Sequence, residues 1–156
     1  SDGCPSGEDI EVIWQCGKYY KPSVDAFMQE MAGKVNTRIL HSDFIQRMDL
    51  AYAAADIVIS RSGASSVSEL CAAHKATIFV PSPNVAEDHQ THNAMALVRE
   101  DAAIMVKDSE AQEKLMAQAC ALLDEPQKIK RMEENIAALS KADAAMTIAE
   151  EVYRIL

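Results

Sequence analysis

What this chain lacks narrows its function first. Its Lys and Arg residues number 15 against 24 Asp and Glu, a net charge of -9. The basic side chains are scattered, whereas a phosphate-binding groove needs them clustered, so no nucleic-acid partner is expected. No apolar run approaches the roughly 18 residues of a membrane span, and the N-terminus has no basic-then-apolar signal pattern. The chain therefore reads as soluble. Cys4, Cys16, Cys71 and Cys120 lie far apart with no C-x-x-C, which indicates neither a zinc site nor a dense disulfide framework. They read instead as buried or incidental thiols of a reducing compartment. There is no G-x-G-x-x-G and no P-loop, and Ser62-Gly63 lacks the preceding Gly-x of a nucleophile elbow. No repeat, low-complexity tract or Gly/Ser linker divides the sequence, so one domain over residues 1–156 is expected.

What is present is a rhythm of short apolar strands and helices. With 49% hydrophobic residues, the chain is long enough to bury a real core. Strands are predicted over Ile10 to Trp14, Thr37 to Leu40, Asp56 to Ser60, Thr77 to Val80 and Ala103 to Val106. Helices are predicted over Pro22 to Met31, Met48 to Ala55, Ala64 to Ala73 and His89 to Glu100. Pro81 and Pro83 stop the fourth strand. From Ser109 onward the residues are helix formers at 3.6-residue spacing, giving two or three helices broken near Glu125-Pro126 and near Asp143. Ile- and Val-rich strands alternating with helices of about ten residues predict a parallel sheet covered on both faces, a Rossmann-like doubly wound α/β fold with C-terminal helices.

In such a sheet a ligand sits beyond the carboxyl ends of the strands. Three loops satisfy that rule: His41 to Gln46, Ser60 to Ser66 and Pro81 to Asn93. The second is the richest. Asp56-Ile57-Val58-Ile59-Ser60 runs through Arg61-Ser62-Gly63 into a helix carrying Glu69. A small-residue turn lets a ligand approach the backbone and meet the helix's unpaired N–H groups, which suits an anion. The Glu69 carboxylate, a turn further on, can accept from two neighbouring hydroxyls at once, as on a ribose diol. It can equally complement the positive end of the helix dipole or pair with Arg61. Ser60, Ser62, Ser65 and Ser66 are open to a plainer use as helix caps. In the third loop, His89, Gln90 and Asn93 share a helical face and offer donors and acceptors fit for sugar hydroxyls; a helix start capped by Asp88 is the simpler alternative. His89 and His92 have metal-ligand spacing without a third ligand, and no metal or cofactor is expected.

The segments Asp56 to Ala64, Ser68-Glu69-Leu70, Ile78-Phe79-Val80-Pro81 and Glu87 to Ala94 closely resemble the carboxyl-terminal half of the MurG family of bacterial UDP-N-acetylglucosamine transferases. Ile13 to Tyr20 and Ala51 to Ala55 resemble it too, so the likeness spans most of the chain. The resemblance implies the donor-binding half of a two-domain GT-B glycosyltransferase that is inverting and metal-independent. It assigns the ribose to Glu69, and ribose and phosphate to Ala64, Ser65 and Ser66. The uracil falls to Phe44, Ile45 and Met48, with the Ile45 backbone as the hydrogen-bonding group. The N-acetylglucosamine hydroxyls fall to His89, Gln90 and Asn93. Arg61 is left as a charge partner or a prop. The family's opening strand and Gly-Gly-Ser-type phosphate turn have no counterpart here, so an N-terminally truncated carboxyl-terminal domain is expected. Its partners would be UDP-N-acetylglucosamine, the missing amino-terminal acceptor domain that holds the catalytic base, and a lipid-linked acceptor. The enzyme would lie in the cytoplasm, peripheral to the inner face of the cell membrane. A sugar-nucleotide 2-epimerase of similar architecture and a non-catalytic subunit of a two-chain transferase are the rival readings. The family's Gly-containing turn before the fourth strand is His74-Lys75-Ala76 here.

Overall fold

The computed structural model describes residues 10–83 and 88–155, and of residues 143–151, 153 and 155 the backbone alone. Two compact units divide between Ala54 and Ala55. The first contains β1 (Glu11–Gln15), α1 (Gly17–Met31), β2 (Arg38–Ser42) and α2 (Met48–Ala54). β1 and β2 pair in parallel, with Ile13 opposite Leu40 and Gln15 opposite Ser42. The connection is the helix α1, as parallel pairing requires. α1 begins five residues before the predicted start at Pro22. Gly17, at φ +76°, turns the chain at the end of β1, and its N–H donates to the Asp43 carbonyl at 3.1 Å. Pro22 then lies inside the helix, where its missing N–H removes one bond of the ladder without ending it.

The second unit contains β3 (Val58–Ser60), α3 (Ala64–Ala73), β4 (Thr77–Phe79), α4 (His89–Val98), β5 (Ala103–Met105), α5 (Asp108–Leu123) and α6 (Pro126–Ile155). Its three strands form a parallel sheet in the order β3-β4-β5. The centre strand is buried along its whole length, which is why Thr77, Ile78 and Phe79 show no polar alternation. Ala76, Ile78, Val80 and Val106 pack with Ala119 and Leu122 of α5 and Met132 of α6 as one apolar cluster. The parallel α/β architecture is therefore as predicted, with the strands in two sheets, one in each unit.

α5 and α6 break at Glu125-Pro126 as predicted, but α6 runs through Asp143 without interruption. The residues around Asp143 are mainly alanine, and one interior Asp costs only a few tenths of a kcal/mol, about what its neighbours supply. Cys16 and Cys71 are not in disulfides, whereas the buried Cys120 is disulfide-bonded, so the reading as incidental thiols fails at Cys120; Cys4 lies outside the described residues. Among the described residues no helix is long and apolar enough to cross a membrane.

Candidate functional site

The carboxyl ends of β3 and β4 lie side by side, with Ser60 opposite Phe79. Beyond them the chain makes two turns, Arg61–Gly63 and Val80–Pro83, and α4 fastens the two together. Gln90 does most of this. Its Oε1 accepts from the Ser82 N–H at 2.8 Å and from the Ser62 N–H at 3.4 Å, and its backbone carbonyl accepts from Ser62 Oγ at 2.7 Å. One helical turn on, Asn93 Nδ2 donates to the Ser62 carbonyl at 3.0 Å. Ser62 is fully buried, so every polar group it carries needs a partner, and α4 supplies them. Gln90 and Asn93 are thus brought together around Ser62, 28 and 31 residues away. Their roles as clasps on this turn had no local signal in the sequence.

The clasp determines how α3 begins. Gly63 is the N-cap residue, in extended conformation, and no side chain caps the helix. Ser62, which could have capped it, spends its hydroxyl on Gln90, and Ser60 donates to the Arg61 carbonyl. Ala64, Ser65 and Ser66 therefore form a first turn whose N–H groups are not bonded by an N-cap side chain, at the positive end of the helix dipole. Ala64 and Ser65 are exposed. Glu69, also exposed, lies one turn on in the same helix.

Arg61 is a prop. It forms an ion pair with Asp108 in the first turn of α5 and donates to the Val80 carbonyl at 3.2 Å, tying the turn after β3 to β4 and α5. Asp88 stands at the N-cap of α4 in a left-handed conformation but makes no side-chain cap bond; its Oδ1 accepts from Thr91 Oγ1 at 2.7 Å. His89 is exposed in the first turn of α4. Part of the predicted loop, residues 84–87, lies outside the described residues. Among the described residues no three His, Cys, Asp or Glu side chains gather as a metal site.

Phe44, Ile45 and Met48 belong to the first unit. The loop from Asp43 to Arg47 follows the carboxyl end of β2 and is held by several bonds. Cys16 N–H donates to the Ser42 carbonyl at 3.0 Å, Phe44 N–H to Asp43 Oδ1 at 2.9 Å, and Ser42 Oγ to the Phe44 carbonyl at 3.2 Å. Phe44 is 64% exposed, Ile45 is half-buried, and Met48 opens α2. The Ile45 N–H donates to Gln15 Oε1 at 2.9 Å, a bond between residues that the sequence pattern did not connect.

Comparison with known proteins places the chain in a family. The glycosyltransferase family 28 C-terminal domain matches residues 3–148. Over 147 residues the chain is 52% identical to the UDP-N-acetylglucosamine–N-acetylmuramyl-(pentapeptide) pyrophosphoryl-undecaprenol N-acetylglucosamine transferase of Bacteroides thetaiotaomicron, covering 94% of this chain and 39% of that protein. It is 46% identical to the protein of the same name from Flavobacterium psychrophilum, covering 96% of this chain and 39% of that one. The chain thus spans about two fifths of the length of these curated relatives. Among solved structures it superimposes on Acinetobacter baumannii MurG with a TM-score of 0.70 and 31% identity, over 81% of this chain and 36% of that one. The glycotransferase of kitacinnamycin matches with a TM-score of 0.53 at 12% identity, over 94% of this chain and 44% of that one, a likeness of fold.

Proposed function

Because this chain belongs to the glycosyltransferase family 28 C-terminal domain family, we propose that it is a single donor-binding domain, over residues 1–156, that holds UDP-N-acetylglucosamine. In the whole protein this sugar passes to a lipid-linked muramyl-pentapeptide. The observation that carries the proposal is the start of α3: a Gly63 N-cap with no side-chain cap, fixed from below by the clasp of Gln90 and Asn93 on the buried Ser62. Such an end is suited to the diphosphate of the donor. Glu69 then holds the ribose through its two hydroxyls, beside Ala64, Ser65 and Ser66. Phe44, Ile45 and Met48 receive the uracil. His89 and the remaining amide groups of Gln90 and Asn93, Nε2 and Oδ1, meet the N-acetylglucosamine hydroxyls.

The reaction assigned to the whole protein is a single inverting displacement. An acceptor hydroxyl loses its proton to a base in the amino-terminal half and attacks the anomeric carbon, and the bond from that carbon to the diphosphate oxygen breaks. Negative charge then grows on the departing UDP. Preorganised N–H groups and the α3 dipole stabilise it there without reorganisation at the moment of reaction. Neither a metal nor a cofactor enters this scheme. The net charge of -9 and the absence of a basic cluster accord with a partner that is a sugar nucleotide and not a nucleic acid. The whole enzyme would act in the cytoplasm, peripheral to the inner face of the membrane that carries its acceptor.

The test is transfer of labelled N-acetylglucosamine from UDP to a lipid-linked muramyl-pentapeptide by the full-length protein. Transfer that Glu69→Ala reduces at least tenfold is expected. Conversion of UDP-N-acetylglucosamine with no acceptor present would instead identify a 2-epimerase.

A further inference from the structure

We propose that the Gln15 carboxamide is an internal stand-in for the nucleobase: it occupies the Ile45 N–H, and the base of the donor displaces it. This assignment rests on the reading of Ile45 as the residue whose backbone meets the base.

Gln15 is the last residue of β1, and its side chain crosses to the loop after β2, where Oε1 accepts from Ile45 N–H at 2.9 Å. Other bonds already hold the entry to the loop, from Ser42 to Phe44. The Cys16 and Gly17 N–H groups already tie Ser42 and Asp43 to the start of α1, at 3.0 and 3.1 Å. Cys16 Sγ adds a contact to the Ser42 carbonyl at 3.3 Å, and Ser42 Oγ and Asp43 Oδ1 close the loop on Phe44. Against these local ties, the Gln15 contact is made by a long and exposed side chain that can rotate away at little cost.

Its chemistry is that of a uracil edge. A primary carboxamide presents a carbonyl acceptor beside an N–H donor, and so does the carbonyl and imide N–H of a 4-oxopyrimidine. The group that satisfies Ile45 N–H from within the chain therefore has the donor–acceptor order of the ligand expected there. Cytosine and adenine present an amino donor beside a ring acceptor, the reverse order, and would meet the Ile45 N–H with a donor. The same exchange thus favours a uridine nucleotide over a cytidine or adenosine one. Binding costs the net worth of one hydrogen bond that must be exchanged, and that cost lowers donor affinity.

Titration of the chain with UDP, with the Ile45 amide resonance followed by nuclear magnetic resonance, tests this. Gln15→Leu removes the competitor and should tighten UDP binding about three- to tenfold, the worth of one net hydrogen bond. Gln15→Glu supplies a stronger acceptor and should weaken it several-fold at neutral pH, with recovery as the carboxylate is protonated. In the unaltered chain, UDP should shift the Ile45 resonance. Weaker binding in Gln15→Leu, with its circular dichroism unchanged, would overturn the proposal and make Gln15 a positioning residue for the donor. Binding that leaves the Ile45 resonance unmoved would overturn both the proposal and base recognition at Ile45. No binding of UDP by the unaltered chain would overturn the donor-site reading and this proposal with it.

Discussion

The two units of this chain are written in similar residues and buried very differently. In the second, the centre strand Thr77–Phe79 is wholly buried, and Ile78, Val80, Leu122 and Met132 sit within one apolar cluster. In the first, Val24 alone is buried among the described residues, while Ile13, Leu40, Tyr20 and Phe44 are about half exposed or more. Ile13 and Leu40 face each other across β1 and β2, and among the described residues these two strands pair only with each other, whereas β4 is flanked on both sides by β3 and β5. An apolar strand therefore marks where a sheet forms, and the number of its neighbours decides how much stability it supplies. The elements proposed for the diphosphate and ribose, Gly63 to Glu69, belong to the well-packed unit. The loop proposed to meet the base, Asp43 to Arg47, belongs to the exposed one, held by hydrogen bonds more than by burial.

The contrast breaks most sharply under truncation. Phe79→Ala, at a fully buried position, should destabilise the chain by about 3–5 kcal/mol. Leu40→Ala, at a position 51% exposed, should cost about 1 kcal/mol or less. Urea midpoints compare the two directly, and equal losses would contradict the distinction. Next is the clasp. Ser62→Ala leaves the Gln90 carbonyl without its 2.7 Å donor in a part-buried setting, which should cost about 1–3 kcal/mol. Because the same bond fixes the start of α3, UDP affinity should fall as well.

A smaller effect of opposite sign is expected at the end of α3. His74 takes a left-handed conformation, φ 55° and ψ 43°, as its N–H and that of Lys75 close on the Cys71 and Leu70 carbonyls. A glycine has no Cβ penalty there, so His74→Gly should stabilise the chain by about 0.5–1 kcal/mol in thermal unfolding. The smallest effect belongs to the exposed unit. The hydrogen bond from Arg47 holds the Asp49 carboxyl below its ordinary range. A depressed carboxyl contributes stability above its unfolded pKa and loses it as pH falls through the folded one. Carboxyl titration by nuclear magnetic resonance should show the Asp49 midpoint rising toward the ordinary value in Arg47→Gln, with little change in overall stability.

Much of this organisation was legible in the residues. The strand and helix order, the parallel pairing and the bounds of α3 follow from apolar period and from Gly63 and the small residues before the helix. The likeness of Asp56 to Glu69 and of Glu87 to Ala94 to the MurG family is borne out by the comparisons. Three features were not legible, each because a distant partner decides it. α1 starts at Gly17 because a bond to Asp43 holds the turn. Ser62 looked like a cap, and only the approach of α4, 28 residues on, turns its hydroxyl inward. Gln15 carried no signal of its own, since what it does depends on the loop that β2 brings beside it.

The central claim is that the start of α3 and Glu69 hold a uridine diphosphate sugar. Calorimetric titration of this chain and its Glu69→Ala variant with UDP-N-acetylglucosamine, UDP and ADP tests it most directly. Uridine-selective binding that the substitution weakens about tenfold or more is the result expected from losing two charge-assisted hydrogen bonds to the ribose. Equal affinity for UDP and ADP, or UDP binding indifferent to Glu69, would contradict it.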